Sequence, residues 1–459
     1  MSSLNLKTRW RNNVFFRSVL TLALGGSVGQ IISFLLQPVI TRIYTPEDMG
    51  VFSSLIAIIS LWSVISVGRY DCAIILPDDK KTAQAIVYLC FIIALFVSIL
   101  SGLWYLLRSF WGKPVSIETY RGYLFIPVLI LLNACDLIFM RIAIRGKKIG
   151  ALSLTQVLRQ LGDKSTKIIL GFFYNNPISL MIGTVVGEVI RISVLAHHTF
   201  RSFFIFDSEK ISKNNIITVA KRYKKFPLLN TWSAFLDTAS SQLPIILFTS
   251  LYSKATAGYY GLCLSILVVP VTIIGTSIAN VFMEKIARIK DDIQSVQQMT
   301  LKLFKKLLFI GTFGMSIIVM YGDILFPILF GQKWKEAGIY SQWRAPSLAL
   351  VLSFSPLSSL FDIYERLERS LILGIFSFIV SIFCIVVPYF LGLSDMYAIA
   401  CLSIGSLIID AVLAIYVLSV VAIPYTKTLG IILIISIPIY IGQFLVAFFI
   451  RQLLITGEV

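Results

Sequence analysis

Residues Gln37–Phe52 read QPVITRIYTPEDMGVF, closing one long apolar run and opening the next. A second version, Leu243–Gly261, reads LPIILFTSLYSKATAGYYG. Pro38 answers Pro244, and Tyr44, six residues before Gly50, answers Tyr252, six residues before Gly258. Each copy sets a Tyr at the end of one hydrophobic segment and a Gly at the start of the following one. A unit recurring once in a long apolar chain predicts two homologous halves with a cavity between them.

Outward from these two stretches, the composition sets the class. The chain has 459 residues, 57% hydrophobic and 14% charged, with a mean hydropathy of +0.86. No soluble core hides that much apolar surface. Runs of about twenty apolar residues, enough to cross a hydrocarbon core of roughly 30 Å, recur from end to end. We place spans at 17–41, 50–68, 83–107, 122–142, 152–173 and 177–197, then at 226–250, 258–282, 304–328, 340–362, 369–391 and 396–421. A further run, 428–450, adds a thirteenth and leaves the C-terminus outside. The expected fold is therefore all-α, a polytopic helical membrane protein of two six-helix lobes around a central cavity. The lobes are 1–200 and 226–421, with a basic linker at 201–225 and an extra span within 422–459. An even number of spans per half makes the halves parallel, related by an axis along the membrane normal. The first run lacks a small-residue cleavage site and is too long for a signal segment, so it reads as a retained helix.

The formal charge of +17 invites a nucleic-acid reading, but its distribution argues otherwise. Lys and Arg crowd every second loop: Lys7 to Arg11, Arg69 to Lys81, Arg141 to Lys148, Arg201 to Lys225, Lys285 to Lys306, then Arg366 and Arg369. The alternate loops hold only Arg42, then Arg108, Lys113 and Arg121, then Lys254, Lys333 and Lys335. This positive-inside pattern places the N-terminus in the cytoplasm, with attraction to the membrane surface a secondary effect. The basic KRYKK run before Phe226 reads as a linker on an anionic leaflet, and no nucleic-acid partner is expected. The six cysteines sit in or beside apolar spans without a CxxC pair, so disulfides and metal sites are not expected. His197 and His198 are the only histidines, leaving little for metal or histidine chemistry. No cofactor, catalytic residue or enzymatic activity is expected, since no outward loop is long enough to fold into a catalytic domain.

The fifth span, LSLTQVLRQLGDKSTKIILGFF, carries the strongest signal. Arg159, Asp163, Lys164 and Lys167 lie mid-span, and four such charges cost about 10–14 kcal/mol near a helix centre. Its Leu, Ile, Val and Phe residues return only about 3–6 kcal/mol on the same scale. Gln156, Arg159, Gln160, Asp163 and Lys167 share one helical face, with Lys164 at its flank. That face must look onto a water-filled cavity or a neighbouring helix. Asp163 is placed to pair with Arg159 or Lys167, and Glu188 with Arg191 at i,i+3 in the sixth span. Arg344 adds a cation in the tenth. Surplus Arg and Lys suit an anionic ligand; the alternative is a salt-bridge network that only locks helices. Asp71, Asp136, Asp237, Asp362 and Asp410 are further acids in or near spans, able to carry a proton or cation or to pair with basic neighbours, as Asp136 with Arg141. Glycines Gly25, Gly26, Gly29, Gly183 and Gly187 allow close helix approach.

Four pieces together carry a family resemblance: QPVITRIYTPEDMGVF; RYDCAIILPDD at Arg69–Asp79; YYGLCLSILVVPVTIIGTSIANVFMEKIA at 259–287; and ILFPILFGQKWKEAG at 324–338. They resemble the polysaccharide transporters, which include O-antigen flippases of bacterial inner membranes and are related to multidrug exporters and lipid II flippases. Asp71 stands where that family usually has Glu, and the thirteenth run exceeds its usual twelve. The resemblance implies an alternating-access flippase that moves an undecaprenyl-pyrophosphate-linked oligosaccharide, an O-antigen or capsule unit, from the cytoplasmic to the periplasmic leaflet. Membrane lipids and the polysaccharide polymerase machinery are the implied partners. On this reading Arg159, Lys164, Lys167, Arg191 and Arg344 are candidate pyrophosphate contacts. Arg42, Arg69, Asp71, Asp163, Glu188 and Asp237 are candidates for gating or coupling. The rival readings are a drug/cation antiporter of the same superfamily and a polytopic glycan polymerase or glycosyltransferase.

Overall fold

The computed structural model describes residues 25–111, 122–204, 212–289, 291–364 and 367–456, and all regular structure among them is helical. Residues 17–24 of the first expected span and 205–211 of the basic linker lie outside the described residues, as does the side chain of Asp362.

Among the described residues, thirteen long helices follow the expected spans. The first six are α1 (residues 25–43), α2 (Pro46–Ile65), α3 (Lys80–Trp111), α4 (Phe125–Arg145), α5 (Ile149–Phe173) and α6 (Pro177–Phe204). Next is α7, Thr231–Leu247, extended by π-helical turns at Phe226–Asn230 and Phe248–Tyr252. The last six are α8 (Lys254–Ile289), α9 (Ile293–Phe330), α10 (Lys335–Phe354), α11 (Leu367–Phe390), α12 (Asp395–Ser419) and α13 (Tyr425–Thr456). A short amphipathic helix, Lys213–Arg222, lies in the basic linker. The tenth expected span is interrupted: α10 stops at Phe354 and the chain turns through Ser355–Leu357. Pro356 lacks the N–H that would continue the helix.

Nine of the described helices are long and apolar enough to cross a membrane: α2, α3, α4, α6, α8, α9, α11, α12 and α13. Three of the four exceptions have causes in the sequence. α1 is only partly described, α5 carries its mid-helix charges, α7 holds Pro244 between two π turns, and α10 is the most polar of the set. Large apolar side chains stay exposed along the outer faces, as at Leu95, Phe96, Ile99 and Trp104 on α3 and at Ile434 and Phe444 on α13. Such continuous apolar surface belongs against lipid. This is an all-α, multi-pass membrane protein.

The chain divides into two compact units, one of residues up to Tyr44 with Val51–Ile246, the other of Thr45–Gly50 with Leu247–Val459. Within the first, α5 and α6 form an intimate pair because glycines face the partner backbone. A β-carbon on Gly183 would lie 2.4 Å from Lys167 Cγ, and one on Gly187 2.9 Å from the Arg159 carbonyl oxygen. Gly25 and Gly29 bring α1 equally close to Ser153 and Gln156 of α5, whereas Gly26 faces open space. In the second unit α9 packs on α10, and α13 lays Ile431 and Ile432 into the core beside Leu308 and Val417.

The repeated stretch builds the same local structure twice. Thr45 caps α2 by accepting from the Asp48 N–H at 3.2 Å, while the Asp48 carboxylate accepts from the Thr45 N–H at 3.1 Å. Ser253 caps α8 by accepting from the Thr256 N–H at 3.0 Å. These are the reciprocal and single forms of an N-terminal cap. The two tyrosines also match. Tyr44 donates its hydroxyl to the Lys167 carbonyl on α5 at 2.8 Å, and Tyr252 donates to the Ile385 carbonyl on α11 at 3.1 Å. Counting from α1 and from α7, each acceptor is the fifth helix of its half. The internal repeat is thus a repeat of contacts as well as of letters.

Candidate functional site

The charged residues of α5 are gathered with those of α4 and α6 into one cluster inside the first unit. Its members are held by two pairs that cross between helices and one within α5. Arg159 Nη2 lies 2.5 Å from Glu188 Oε1 on α6, and Arg191 Nε of α6 lies 2.7 Å from Asp136 Oδ1 on α4. Lys167 Nζ lies 2.7 Å from Asp163 Oδ1 within α5. Arg191 also donates from Nη1 to Gln156 Oε1 at 3.2 Å. The Arg191–Asp136 and Lys167–Asp163 pairs are close charge contacts off hydrogen-bond geometry, since Arg191 Nε, Asp136 Oδ1 and Asp163 Oδ1 make no hydrogen bond.

Two expected pairings are corrected by this arrangement. Glu188 and Arg191 do not neutralise each other along α6, because each faces a different neighbouring helix. Asp136 does not take Arg141; it takes Arg191, and Arg141 turns to Asp71. Of the two partners open to Asp163, each one turn away on the same face, Lys167 holds it, and Arg159 is taken by Glu188.

Among the described residues, four cations of this cluster meet three carboxylates, and Lys164 is the one left over. Its Nζ donates to the neutral Oε1 of Gln37 on α1 at 3.1 Å. Lys167, in contrast, is boxed in: it is 5% exposed, its ammonium sits 4.4 Å from the centroid of the Phe52 ring, and its carbonyl accepts from Tyr44. Arg191 is also 5% exposed. The Arg159 side chain keeps 33% of its surface open. The cluster therefore separates into a buried frame, Lys167 and Arg191 with their carboxylates, and two more open cations, Arg159 and Lys164. Such an arrangement can hold an oxyanion without first breaking the frame, because Lys164 gives up only a bond to a neutral amide. Gln37, Tyr44 and Phe52 belong to this site through contacts that helical spacing does not reveal, although all three lie in the stretch that decides the fold.

The remaining candidates stand elsewhere. Asp71 is fully buried in a short 3-10 helix, Tyr70–Ile75, and pairs with Arg141 of α4 at 3.1 Å. Arg69 adopts a left-handed backbone, φ 55°, directly after Gly68 at φ 53°. Tyr70 donates to the Ala220 carbonyl of the amphipathic helix at 3.1 Å, fastening the linker to this corner. Burial pushes the Cys72 thiol up from its ordinary range, and the adjacent Asp71 charge adds to the effect. Arg42 and Asp237 are exposed. Arg344 belongs to the second unit, on α10, with Nε and Nη1 buried and making no hydrogen bond; its acidic neighbour Asp410 accepts from Ser347 at 2.6 Å. Among the described residues no group of His, Cys, Asp and Glu is placed to hold a metal ion.

Charge is thus gathered where α4, α5 and α6 meet, inside a bundle whose outer faces are apolar. Residues 39–338 match the polysaccharide biosynthesis protein family, and the chain belongs to it. It is 24% identical over 364 residues to a capsular polysaccharide biosynthesis protein, CapF, of Staphylococcus aureus, covering 72% of this chain and 79% of that one. Among solved structures it resembles the lipid II flippase MurJ in an inward closed conformation, with a TM-score of 0.70 at 15% identity over 95% of this chain and 100% of that chain. It also resembles an inward-facing multidrug resistance transporter of the MATE family, with a TM-score of 0.59 at 13% identity over 90% and 95% of the two chains. Both likenesses are of fold.

Proposed function

We propose that this protein is a flippase for an oligosaccharide linked to a polyprenyl pyrophosphate, the lipid carrier of an O-antigen or capsule unit, which it moves from the cytoplasmic to the outer leaflet of a bacterial inner membrane by alternating access. The observation that carries the reading is the surplus cation Lys164, on a helix that lipid would reject, in a chain of a polysaccharide biosynthesis family. A pyrophosphate lipid joins a dianionic head to a bulky polar glycan and a long tail. Lys164 is the first contact for the head, because it gives up only a bond to the neutral Gln37 amide, and Arg159 is the second, because a third of its side chain stays open beside Glu188. Lys167 and Arg191 set the frame that holds these two in place.

The deciding experiment is flipping of a lipid-linked oligosaccharide in proteoliposomes, with melting temperature measured in parallel. Lys164→Gln should lower the flipping rate about tenfold or more, the scale of one charge-assisted phosphate bond, at unchanged melting temperature. Flipping at the wild-type rate by Lys164→Gln overturns the site. A drug/cation antiporter is the reading nearest in fold; export of a cationic dye without glycan flipping would establish it instead. The surplus positive charge of the cluster disfavours a cationic cargo. A polymerase would lengthen glycans in the same liposomes, and this chain is expected to leave them unchanged.

A further inference from the structure

Helices α8 and α9 run on well past the lengths that a membrane needs, and where they leave the apolar region they enclose a groove. The groove measures about 390 Å³ and is lined by Ser277, Ile278, Val281, Met299 and Leu303, over the buried ring of Phe282. Three lysines stand on its rim: Lys285 from α8, and Lys302 and Lys306 from α9. All three are exposed, and among the described residues none is held in an ion pair or hydrogen bond. The nearest carboxylate along α8, Glu284, is already taken by Arg288 one turn on.

The groove lies where a headgroup would. On α9 the sequence turns from LKLFKK at 301–306 to the apolar LLFIGTFGMSIIVM that follows, so Lys302 and Lys306 mark the edge of the hydrocarbon. On α8, Ser277 and Ile278 lie about two turns deeper than Lys285, roughly 11 Å along the axis. The groove therefore has an apolar floor, and its lysine rim lies at the edge of the hydrocarbon. An amphiphile with one negative head and a hydrocarbon chain complements both the floor and the rim.

We infer that the groove between α8 and α9 is a binding site for one anionic phospholipid of the leaflet beside the basic loops, with a chain against Ile278, Val281 and Leu303 and the phosphate on Lys285, Lys302 and Lys306. The inference is independent of what the protein transports. Each lysine near an anionic lipid phosphate is worth about fivefold in affinity, so three give on the order of a hundredfold preference for phosphatidylglycerol over phosphatidylcholine.

Native mass spectrometry of the full chain in detergent, titrated with dioleoylphosphatidylglycerol or dioleoylphosphatidylcholine, tests it. The wild type should carry one phosphatidylglycerol and shed it about tenfold or more readily in the triple variant Lys285→Gln/Lys302→Gln/Lys306→Gln. The control Lys221→Gln/Lys224→Gln/Lys225→Gln removes as much charge from the linker and should leave the adduct unchanged. Ser277→Phe fills the groove and should displace the lipid with every lysine in place; if that variant does not fold, the exposed lysine variants decide alone. Wild-type retention by the triple variant overturns the site. So does an equal loss in the linker control, which would mean charge alone. Displacement of phosphatidylglycerol by undecaprenyl pyrophosphate, offered at equal concentration, would overturn the assignment to a phospholipid.

Discussion

Gly50 and Gly258 each occupy the space that the other's helix would need for a side chain. A β-carbon on Gly50 would stand 1.7 Å from the carbonyl oxygen of Lys254, and one on Gly258 would stand 1.9 Å from that of Pro46. The contact lies within the second unit, to which Thr45–Gly50 belongs. It is reciprocal because Pro46 and Lys254 hold the same place in the two copies of the repeat. Gly50→Ala and Gly258→Ala should each destabilise the protein by about 3 kcal/mol or more, the upper end of overpacking. Gly26→Ala, which meets no atom within 4 Å, should be neutral or slightly stabilising. Melting temperatures of the three purified variants check the contrast, and an Ala at Gly50 or Gly258 that melts like wild type would refute it.

Arg191→Ala leaves Asp136 without its counter-ion in a buried setting, since the two side chains are only 6% and 13% exposed. The loss should be about 3–5 kcal/mol, seen as a fall in folded yield and melting temperature. Arg191→Met with Asp136→Leu removes both charges and should recover most of it. A double variant no better than the single would mean that the pair is not what holds α4 to α6.

Gln37→Glu gives Lys164 a carboxylate in place of an amide. Stability should hold or rise, while flipping of lipid-linked glycan should fall, because the phosphate must then compete with a fixed anion. Equal rates for wild type and Gln37→Glu would show that Lys164 meets no anion during transport.

Tyr44→Phe and Tyr252→Phe remove one interhelical hydrogen bond each and should cost about 0.5–1.5 kcal/mol apiece. The bonds they remove, to Lys167 and Ile385, lie in different halves, so the two losses should add in the double variant. Thermal unfolding of the single and double variants reads both statements.

The orientation predicted by the basic loops is open to a direct test. Lys213→Cys, in a background without the native cysteines, should react with a membrane-impermeant thiol reagent only from the cytoplasmic side. Strong labelling from the periplasmic side would invert the topology.

The positions of the helices were legible because long apolar runs and their polar breaks are local properties of the chain. The Tyr–Gly repeat was legible too, and its two tyrosines make equivalent bonds. The pairing inside the site was not. Spacing along one helix offers Glu188 to Arg191 and Asp136 to Arg141, whereas Gly183 and Gly187 draw α6 against α5 until cross-helix partners lie nearer. A glycine marks where two backbones meet, but not which side chains are then face to face. For the same reason Gln37 remained unremarked as a partner of Lys164, although it opens the stretch from which the fold was read.

The polarity of α5 also bears on how the protein is made. Helices leave the ribosome one at a time, and a segment whose charges outweigh its apolar residues has no reason to leave an aqueous channel for the bilayer alone. Asp136 on α4 and Glu188 on α6 lie on either side of it in the chain, and both acids are committed to cations of this cluster. Membrane insertion of α5 must therefore wait for α6 to emerge, so that the two enter as a hairpin with Arg159 already matched to Glu188. A chain that ends near Asn175 and is released from the ribosome would leave its fifth helix outside the bilayer, and synthesis through α6 would draw it in.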